Sequence, residues 1–255
     1  GSEVTGVNIA GGMAGYNWGG KVSFEDCEAE NLTVCSTGSA AGGLMGSKGG
    51  GSVHFTGCKV GQDSETGITI TGTSPAGGLV GYTFSGCTST FARCTVGGSG
   101  SAGKITIKGT FAGGLAGSES GGATFDDCHV VSAEVNGSDT AGGLAGGVGS
   151  TGDMTYAQIT GCTTGDVTVA AGNYAGGLVG NSATKDSFAD CRTVNASVTG
   201  SGDTSIAGGL VGGATNAEFQ RCATERVIVK SIMDAGGLVG EAIDVSLAGC
   251  TTTNA

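Results

Sequence analysis

Apolar and polar residues alternate in short runs along this chain. Ile68 and Ile70, Ile105 and Ile107, Val167 and Val169, and Val227 and Val229 fall on one face of their segments. Thr69, Thr106, Thr168 and Ile228 fall on the other. A period of two with one apolar face predicts half-buried strands. The runs are short and bounded by Gly, Asn, Asp or Ser, which punctuates strands rather than helices. Glycine and β-branched residues also keep helix propensity low throughout.

These runs are set in a repeat. The phrase Ala-Gly-Gly-Leu-x-Gly, with Met13 replacing Leu in the first copy, begins at Ala10, Ala41, Ala76, Ala112, Ala141, Ala175, Ala207 and Ala235. Its eight copies are 28 to 36 residues apart. A period near thirty with variable filler is the signature of a repeat array. Three short strands per repeat predict an all-β fold, a right-handed parallel β-helix of about eight coils. Coils would stack at the ~4.8 Å spacing of hydrogen-bonded strands. Residues 10–255 would form this single solenoid, and residues 1–9 a cloning scar (Gly1-Ser2) followed by a lead-in strand. The longer fillers, around Phe84-Ser85-Gly86-Cys87 and from Gly147 to Gln158, belong in loops at one corner.

A second refrain is Phe-x-x-Cys. It occurs at Phe24/Cys27, Phe55/Cys58, Phe91/Cys94, Phe125/Cys128, Phe188/Cys191 and Phe219/Cys222, with Ile159/Cys162 and Leu247/Cys250 as variants. Phe84/Cys87 is an extra copy. A spacing of three cannot keep both side chains inward on a flat strand. The residue before Cys is often Gly or Asp, so the spacing predicts a bulge or arc there, with Phe stacked on Phe and Cys on Cys.

Composition narrows the interior. With 55 Gly, one Pro and few aromatics, the core must be thin, and collagen is excluded. The net charge of −11 argues against nucleic acid and against anionic membranes as partners. No apolar run reaches transmembrane length, so direct membrane insertion is not expected.

Ten cysteines suggest disulfides in an extracellular protein. Their spacing suggests otherwise. Cys27, Cys58, Cys94, Cys128, Cys162, Cys191, Cys222 and Cys250 recur at one phase, as packing residues would. Neighbouring rungs stand farther apart than a disulfide prefers. A ladder of reduced, buried thiols is therefore expected, with Cys35 and Cys87 off it and their state open. A line of thiols is also not the tetrahedron zinc requires.

No reaction is specified by the remaining residues, and the chain is expected to be non-catalytic, without cofactor or metal. Glycoside hydrolysis needs two carboxylates at a set separation. Glu25-Asp26 and Asp126-Asp127 share a phase but should lie three rungs apart, and they read as solvated turn residues. His54 and His129 sit at different phases, with no repeated carboxylate or serine opposite, and read as surface residues. Asp153, Asp166, Asp203 and Asp234 are too scattered to encode a calcium site. An ice-binding solenoid would want an outward Thr array. The outward column Thr33, Thr69, Thr106, Glu134, Thr168, Ser197, Ile228 is broken at Glu134 and Ile228. If Leu of the glycine phrase points in, the next residue points out. Ala14, Met45, Val80, Ala116, Ala145, Val179, Val211 and Val239 would then form a flat, weakly apolar stripe, a candidate interaction surface.

Repeated Ala-Gly-Gly-Leu-Val-Gly, followed by Phe-x-x-Cys and a Val-x-Val strand, resembles the GLUG-motif repeats of large secreted or wall-anchored bacterial and archaeal proteins. These include non-catalytic regions of IgA-cleaving metallopeptidases and adhesin-like proteins. The resemblance covers all eight repeats. It implies an extracellular setting, at a cell surface or secreted, and carries over no catalytic residue. The expected role is a stalk or adhesion module with a protein or glycan ligand, or self-association along the rod. The alternatives are an ice-binding solenoid and a carbohydrate-binding or carbohydrate-degrading β-helix.

Overall fold

A computed structural model describes residues 1–62, 67–98, 104–149 and 156–254. Every regular element in it is a strand, and every strand pairing is parallel. The parallel sheets form a β-solenoid of about eight turns. Three strands per coil make the walls. In the second and third coils these are Leu32–Ser36 and Ile68–Gly72 (the V sheet), Met45–Lys48 and Val80–Thr83 (the G sheet), and Gly51–Thr56 and Cys87–Ala92 (the F sheet). Two shorter pieces complete each turn. Ala-Gly rungs such as Ala41–Gly42 extend the V sheet, and rungs such as Lys59–Val60 follow each Phe-x-x-Cys corner.

Register is kept by residue type. Ile68 pairs with Ile105, Ala76 with Ala41 and Ala112, and Phe91 with Phe55 and Phe125. The lead-in strand Ser2–Gly6 pairs with Leu32–Ser36, so the first coil starts before the first glycine phrase. The core is a stack of like residues. Phe24, Phe55, Phe91 and Phe125 form a continuous column with rings 4.5 to 5.2 Å apart and tilted by 8° or less. Ile159 interrupts it, and Phe188 and Phe219 resume it at 4.6 Å. Each fully buried Phe contributes up to ~3 kcal/mol by leaving water, and each stacked pair adds about 1 kcal/mol.

The predicted arc in Phe-x-x-Cys is a left-handed corner. The residue before Cys has positive φ at Asp26 (49°), Gly57 (63°), Arg93 (51°), Asp127 (51°), Gly161 (64°), Asp190 (55°), Arg221 (52°) and Gly249 (65°). The corner turns the chain between Phe and Cys, so both side chains enter the core.

The glycine phrase works differently from the way its pattern reads. Its second glycine is required by close approach. A Cβ on Gly78 would run into the carbonyl of Gly114 and sit 2.8 Å from Val96. The following pair then bends. Leu44 and Met45 both donate their N–H groups to the carbonyl of Leu79, at 3.1 and 2.8 Å. Consecutive N–H groups on a flat strand point to opposite sides, so sharing one acceptor marks a corner. The same double donation recurs in the other coils, for example from Leu178 and Val179 to Leu210.

This corrects the expected stripe. Met45, Val80, Ala116, Ala145, Val179 and Val211 are all fully buried and belong to the core. Only Ala14 and Val239, in the two end coils, are half-buried. Alternation cannot be carried through the Gly-Gly corner, because the backbone turns there and both apolar side chains enter the interior.

Candidate functional site

The ladder cysteines stand at one phase of successive coils. From Cys27 to Cys222, each ladder cysteine's carbonyl accepts a hydrogen bond from the residue after the next coil's cysteine, as in Thr95 to Cys58 and His129 to Cys94, both 2.9 Å. All ten cysteines are free. Cys58, Cys94, Cys128, Cys162, Cys191 and Cys222 are buried, while Cys27 and Cys250, in the end coils, are half-buried. Several thiols reach a carbonyl of the coil beneath: Cys58 to Phe24 at 3.3 Å and Cys191 to Ile159 at 3.3 Å. Hydrogen bonding with the Cys94 thiol, then burial, pushes the pKa of the Cys58 thiol well above its ordinary value. Cys94 is pushed up to about 12, chiefly by the Cys128 thiol. A nucleophilic or metal-binding thiol needs the opposite shift, toward thiolate. The buried Cys58 and Cys94 are held as thiols, whereas the hydrogen bond with Cys191 lowers Cys222.

Off the ladder, Cys35 is half-buried in the V-sheet column Thr5, Cys35, Thr71. Cys87 is buried and donates to the carbonyl of Lys48 at 3.4 Å. Phe84 of the extra copy is exposed and builds no additional coil.

The carboxylate pairs lie as predicted. Glu25, Thr56, Ala92 and Asp126 follow one another in register, so Glu25 and Asp126 are three rungs apart, and both are exposed. His54 is half-buried between Ser23 and Thr90 in its column. His129 departs from expectation. Its Nε2 lies 3.4 Å from Asp127 Oδ1 and its Nδ1 2.7 Å from Thr163 Oγ1. The corner at Asp127 swings the carboxylate back toward the histidine, which spacing alone does not reveal. The trio lies on an outer surface, with the side chains of His129 and Asp127 39% and 61% exposed. The Thr column of the V sheet is in register from Thr33 to Ile228, and Glu134 interrupts it with an ion pair to Lys104 at 3.0 Å. Asp153 lies outside the described residues.

Three charged residues are buried where alternation would place apolar ones. Lys48 donates to Asn17 Oδ1 at 2.7 Å and to the carbonyl of Gly50. Glu119 Oε2 accepts hydrogen bonds from Thr83 and Ser89, while Oε1 is buried without a partner. Burial pushes the Glu119 carboxyl up to about 7 against the restraining effect of those two hydroxyls. Asp186 is raised by burial as well, although Ala157 N–H (2.7 Å), Ser182 Oγ (2.7 Å) and Thr184 Oγ1 (3.0 Å) all donate to it. Asp186 forms part of a polar groove of about 430 Å³ shared with Lys185, Glu218 and Asp244. No group of three or more potential ligand side chains among the described residues is placed to hold a metal ion.

The outer face of the G sheet is built differently. Tyr16, Ser47, Tyr82 and Ser118 occupy one column. Backbone bonds from Gly49 to Asn17, Phe84 to Lys48 and Ser120 to Thr83 carry a second column through Trp18, Gly49, Phe84 and Ser120. Tyr16 and Trp18 pack at 5.5 Å, and Tyr82 and Phe84 meet edge to face at 4.4 Å. Beside the second pair lies a groove of about 460 Å³ lined by Ser39, Ser74, Pro75, Tyr82, Phe84, Phe111, Ser118 and Ser120. Ser120 Oγ donates to Tyr82 Oη at 3.2 Å. No charged side chain lines it. Sequence reading by single-coil periodicity misses this surface, because its aromatics recur in alternate coils. The available signal is the shared offset of Tyr16-Asn17-Trp18 and Tyr82-Thr83-Phe84 after their glycine phrases.

Comparison with protein-family models, with characterised proteins and with solved structures gives no match.

Proposed function

We propose that this chain is a non-catalytic repeat module, a stalk or adhesion segment of a cell-surface or secreted protein. The observation that carries this reading is the parallel stacking of eight coils, like core residue on like core residue, with one local register shift between Gly109 and Phe111. Seven steps of ~4.8 Å make a rod of roughly 34 Å. Such a rod is rigid because each coil is hydrogen-bonded along its length to the next, and its sides are free to vary. The resemblance to GLUG-motif repeats supports the extracellular setting, and the net charge of −11 suits a solvated surface protein. Antibodies raised against this chain test the reading. They should label intact cells of the source organism, or the medium around them. Labelling that appears only after lysis contradicts it.

A second reading, ice binding, draws on the in-register Thr33, Thr69, Thr106 and Thr168. It predicts thermal hysteresis in a freezing assay. Its absence removes this reading without touching the first.

A further inference from the structure

From the G-sheet surface we infer a binding site for an extended, neutral β-1,4-linked glycan, running along the rod axis across coils one to four. This deepens the adhesion half of the proposed function and rests on it.

Three features point to this ligand. The first is period. The Tyr16/Trp18 pair and the Tyr82/Phe84 pair stand two coils apart in strict register, which places them about 10 Å from one another. In an extended β-1,4 chain successive rings are flipped, so every second ring presents the same face. Its disaccharide repeat is close to that two-coil rise. One disaccharide step would carry the chain from one aromatic pair to the next.

The second is chemistry. The groove beside Tyr82 and Phe84 combines aromatic rings and Pro75 with the hydroxyls of Ser39, Ser74, Ser118 and Ser120. Sugar rings need both kinds of contact: an apolar C–H face to lie on an aromatic ring, and a hydroxyl rim to exchange hydrogen bonds. Trp18 is 78% exposed, an unusual cost for so large an apolar group unless something covers it.

The third is charge. The two charged residues of this stretch, Lys48 and Glu119, are both buried beneath the surface. The outer positions are Tyr16, Trp18, Gly49, Tyr82, Phe84, Ser118 and Ser120, in a chain with 33 charged residues. A neutral ligand loses nothing here, whereas the overall charge of −11 opposes an acidic polysaccharide. A purely apolar peptide would leave the four serine hydroxyls poorly used.

Trp18 is the chain's one tryptophan, so its fluorescence reports directly on the site. The whole chain would be titrated with linear β-1,4 hexasaccharides of glucose, mannose and N-acetylglucosamine, alongside the matching disaccharides, oligogalacturonate and an uncharged amphipathic peptide. Binding would be followed by calorimetry and by Trp18 emission. At least one neutral hexasaccharide should bind and shift the emission, and should bind roughly tenfold or more tightly than its disaccharide, which cannot span both pairs. Phe84→Ala and Trp18→Ala should each weaken binding by roughly tenfold, read by calorimetry, while Tyr156→Ala, at an exposed aromatic outside this surface, leaves it unchanged. Circular dichroism would confirm that each variant is folded. The inference is overturned if no neutral hexasaccharide binds at millimolar concentration, if hexasaccharide and disaccharide bind alike, or if both aromatic variants keep full affinity. Binding by the peptide or by oligogalacturonate alone overturns it too, and assigns the surface to another class of partner. Cell labelling is independent of all these results, so the extracellular reading and the glycan inference fail separately.

Discussion

Coils one to four and coils five to eight share one backbone and differ in what they hang on it. After each ladder cysteine, the buried position of the short rung is Ala29, Val60, Val96 and Val130 in the first half. It is Thr164, Thr193 and Thr224 in the second, with Thr252 at the same position but exposed in the end coil. Those threonines hydrogen-bond inside the rod, as in Thr164 to the Gly177 carbonyl at 2.9 Å and Thr224 to the Gly237 carbonyl at 2.8 Å. Val and Thr are nearly the same shape, so the coil accepts either, provided the hydroxyl finds an acceptor. The phenylalanine column is continuous in the first half and broken at Ile159 at the start of the second. The aromatic pairs on the outer G sheet belong to the first half only. Asn181, Gly213 and Glu241 stand in the Tyr82 column farther along. The second half instead carries ion pairs between coils, Arg221 with Asp190 at 2.7 Å and Arg192 with Glu225. The Gly-Gly bend and the left-handed corner before Cys specify the coil. Positions outside them are free to diverge, and a ligand site has room to arise there.

The largest effect should come from the shared backbone. A Cβ on Gly78 in the first half or Gly177 in the second would collide with the carbonyl of the next coil's glycine, Gly114 or Gly209. Gly78→Ala and Gly177→Ala should each cost more than about 3 kcal/mol in urea unfolding. Gly165→Ala, where added bulk meets nothing within 4 Å, should be neutral or slightly stabilising. Markedly unequal losses at Gly78 and Gly177 would mean that the halves do not share one skeleton.

Next comes the aromatic column. Phe91 stacks on both neighbours, at 5.2 and 4.5 Å, so Phe91→Ala should cost about 3–5 kcal/mol. Ile159→Val, at the break, should cost only about 1 kcal/mol. Equal costs in denaturant would remove the distinction drawn between a stacked column and a gap.

A smaller effect separates the halves by pH. Glu119, in the first half, has its pKa raised from 4.5 to about 7 by burial. The folded state then holds a proton that the unfolded state releases. The associated stability is fully present below about pH 4.5 and is lost as pH rises through about 7, by roughly 3 kcal/mol in all. Glu119→Gln should flatten that part of the urea midpoint between pH 4.5 and 8. An unchanged slope would mean that Glu119 is solvated. Asp186 in the second half, also raised by burial, should give a separate decline with the same sign.

The mildest test is thiol labelling. Cys27, Cys35 and Cys250 should react with a thiol reagent in the native protein, and the seven buried cysteines only after unfolding. Fast labelling of Cys128, in the middle of the ladder, would show that the interior opens.

The solenoid was legible because its determinants recur in every coil. The glycine phrase, Phe-x-x-Cys and the alternating Val and Ile strands each name a position that stacks on its own copy. The stripe from Met45 to Val239 fails for a local reason. Alternation does not carry across a glycine pair at which the backbone turns. Lys48, Glu119 and Asp186 were invisible, because polar periodicity places charges outside and only the hydrogen-bonding partners brought in by neighbouring coils let them be buried. The aromatic surface escapes single-coil periodicity because Tyr16 and Tyr82 stand two coils apart, while the repeat itself has a period of one. Asp127 and His129 look like separate surface residues in the sequence, since the positive φ at Asp127 that brings them together leaves no mark on their spacing.

The central claim is that each repeat closes once around a common axis and advances by one strand spacing. Thr33, Thr69, Thr168 and Ile228 are exposed and share one column. Spin labels carried on unnatural side chains at Thr33 and Thr168, four coils apart, and at Thr69 and Ile228, five coils apart, would measure that advance by pulsed electron resonance. Narrow distributions near 19 and 24 Å, separated by about 4.8 Å, are predicted. Broad distributions, or distances that follow sequence separation instead of coil number, would contradict the solenoid outright.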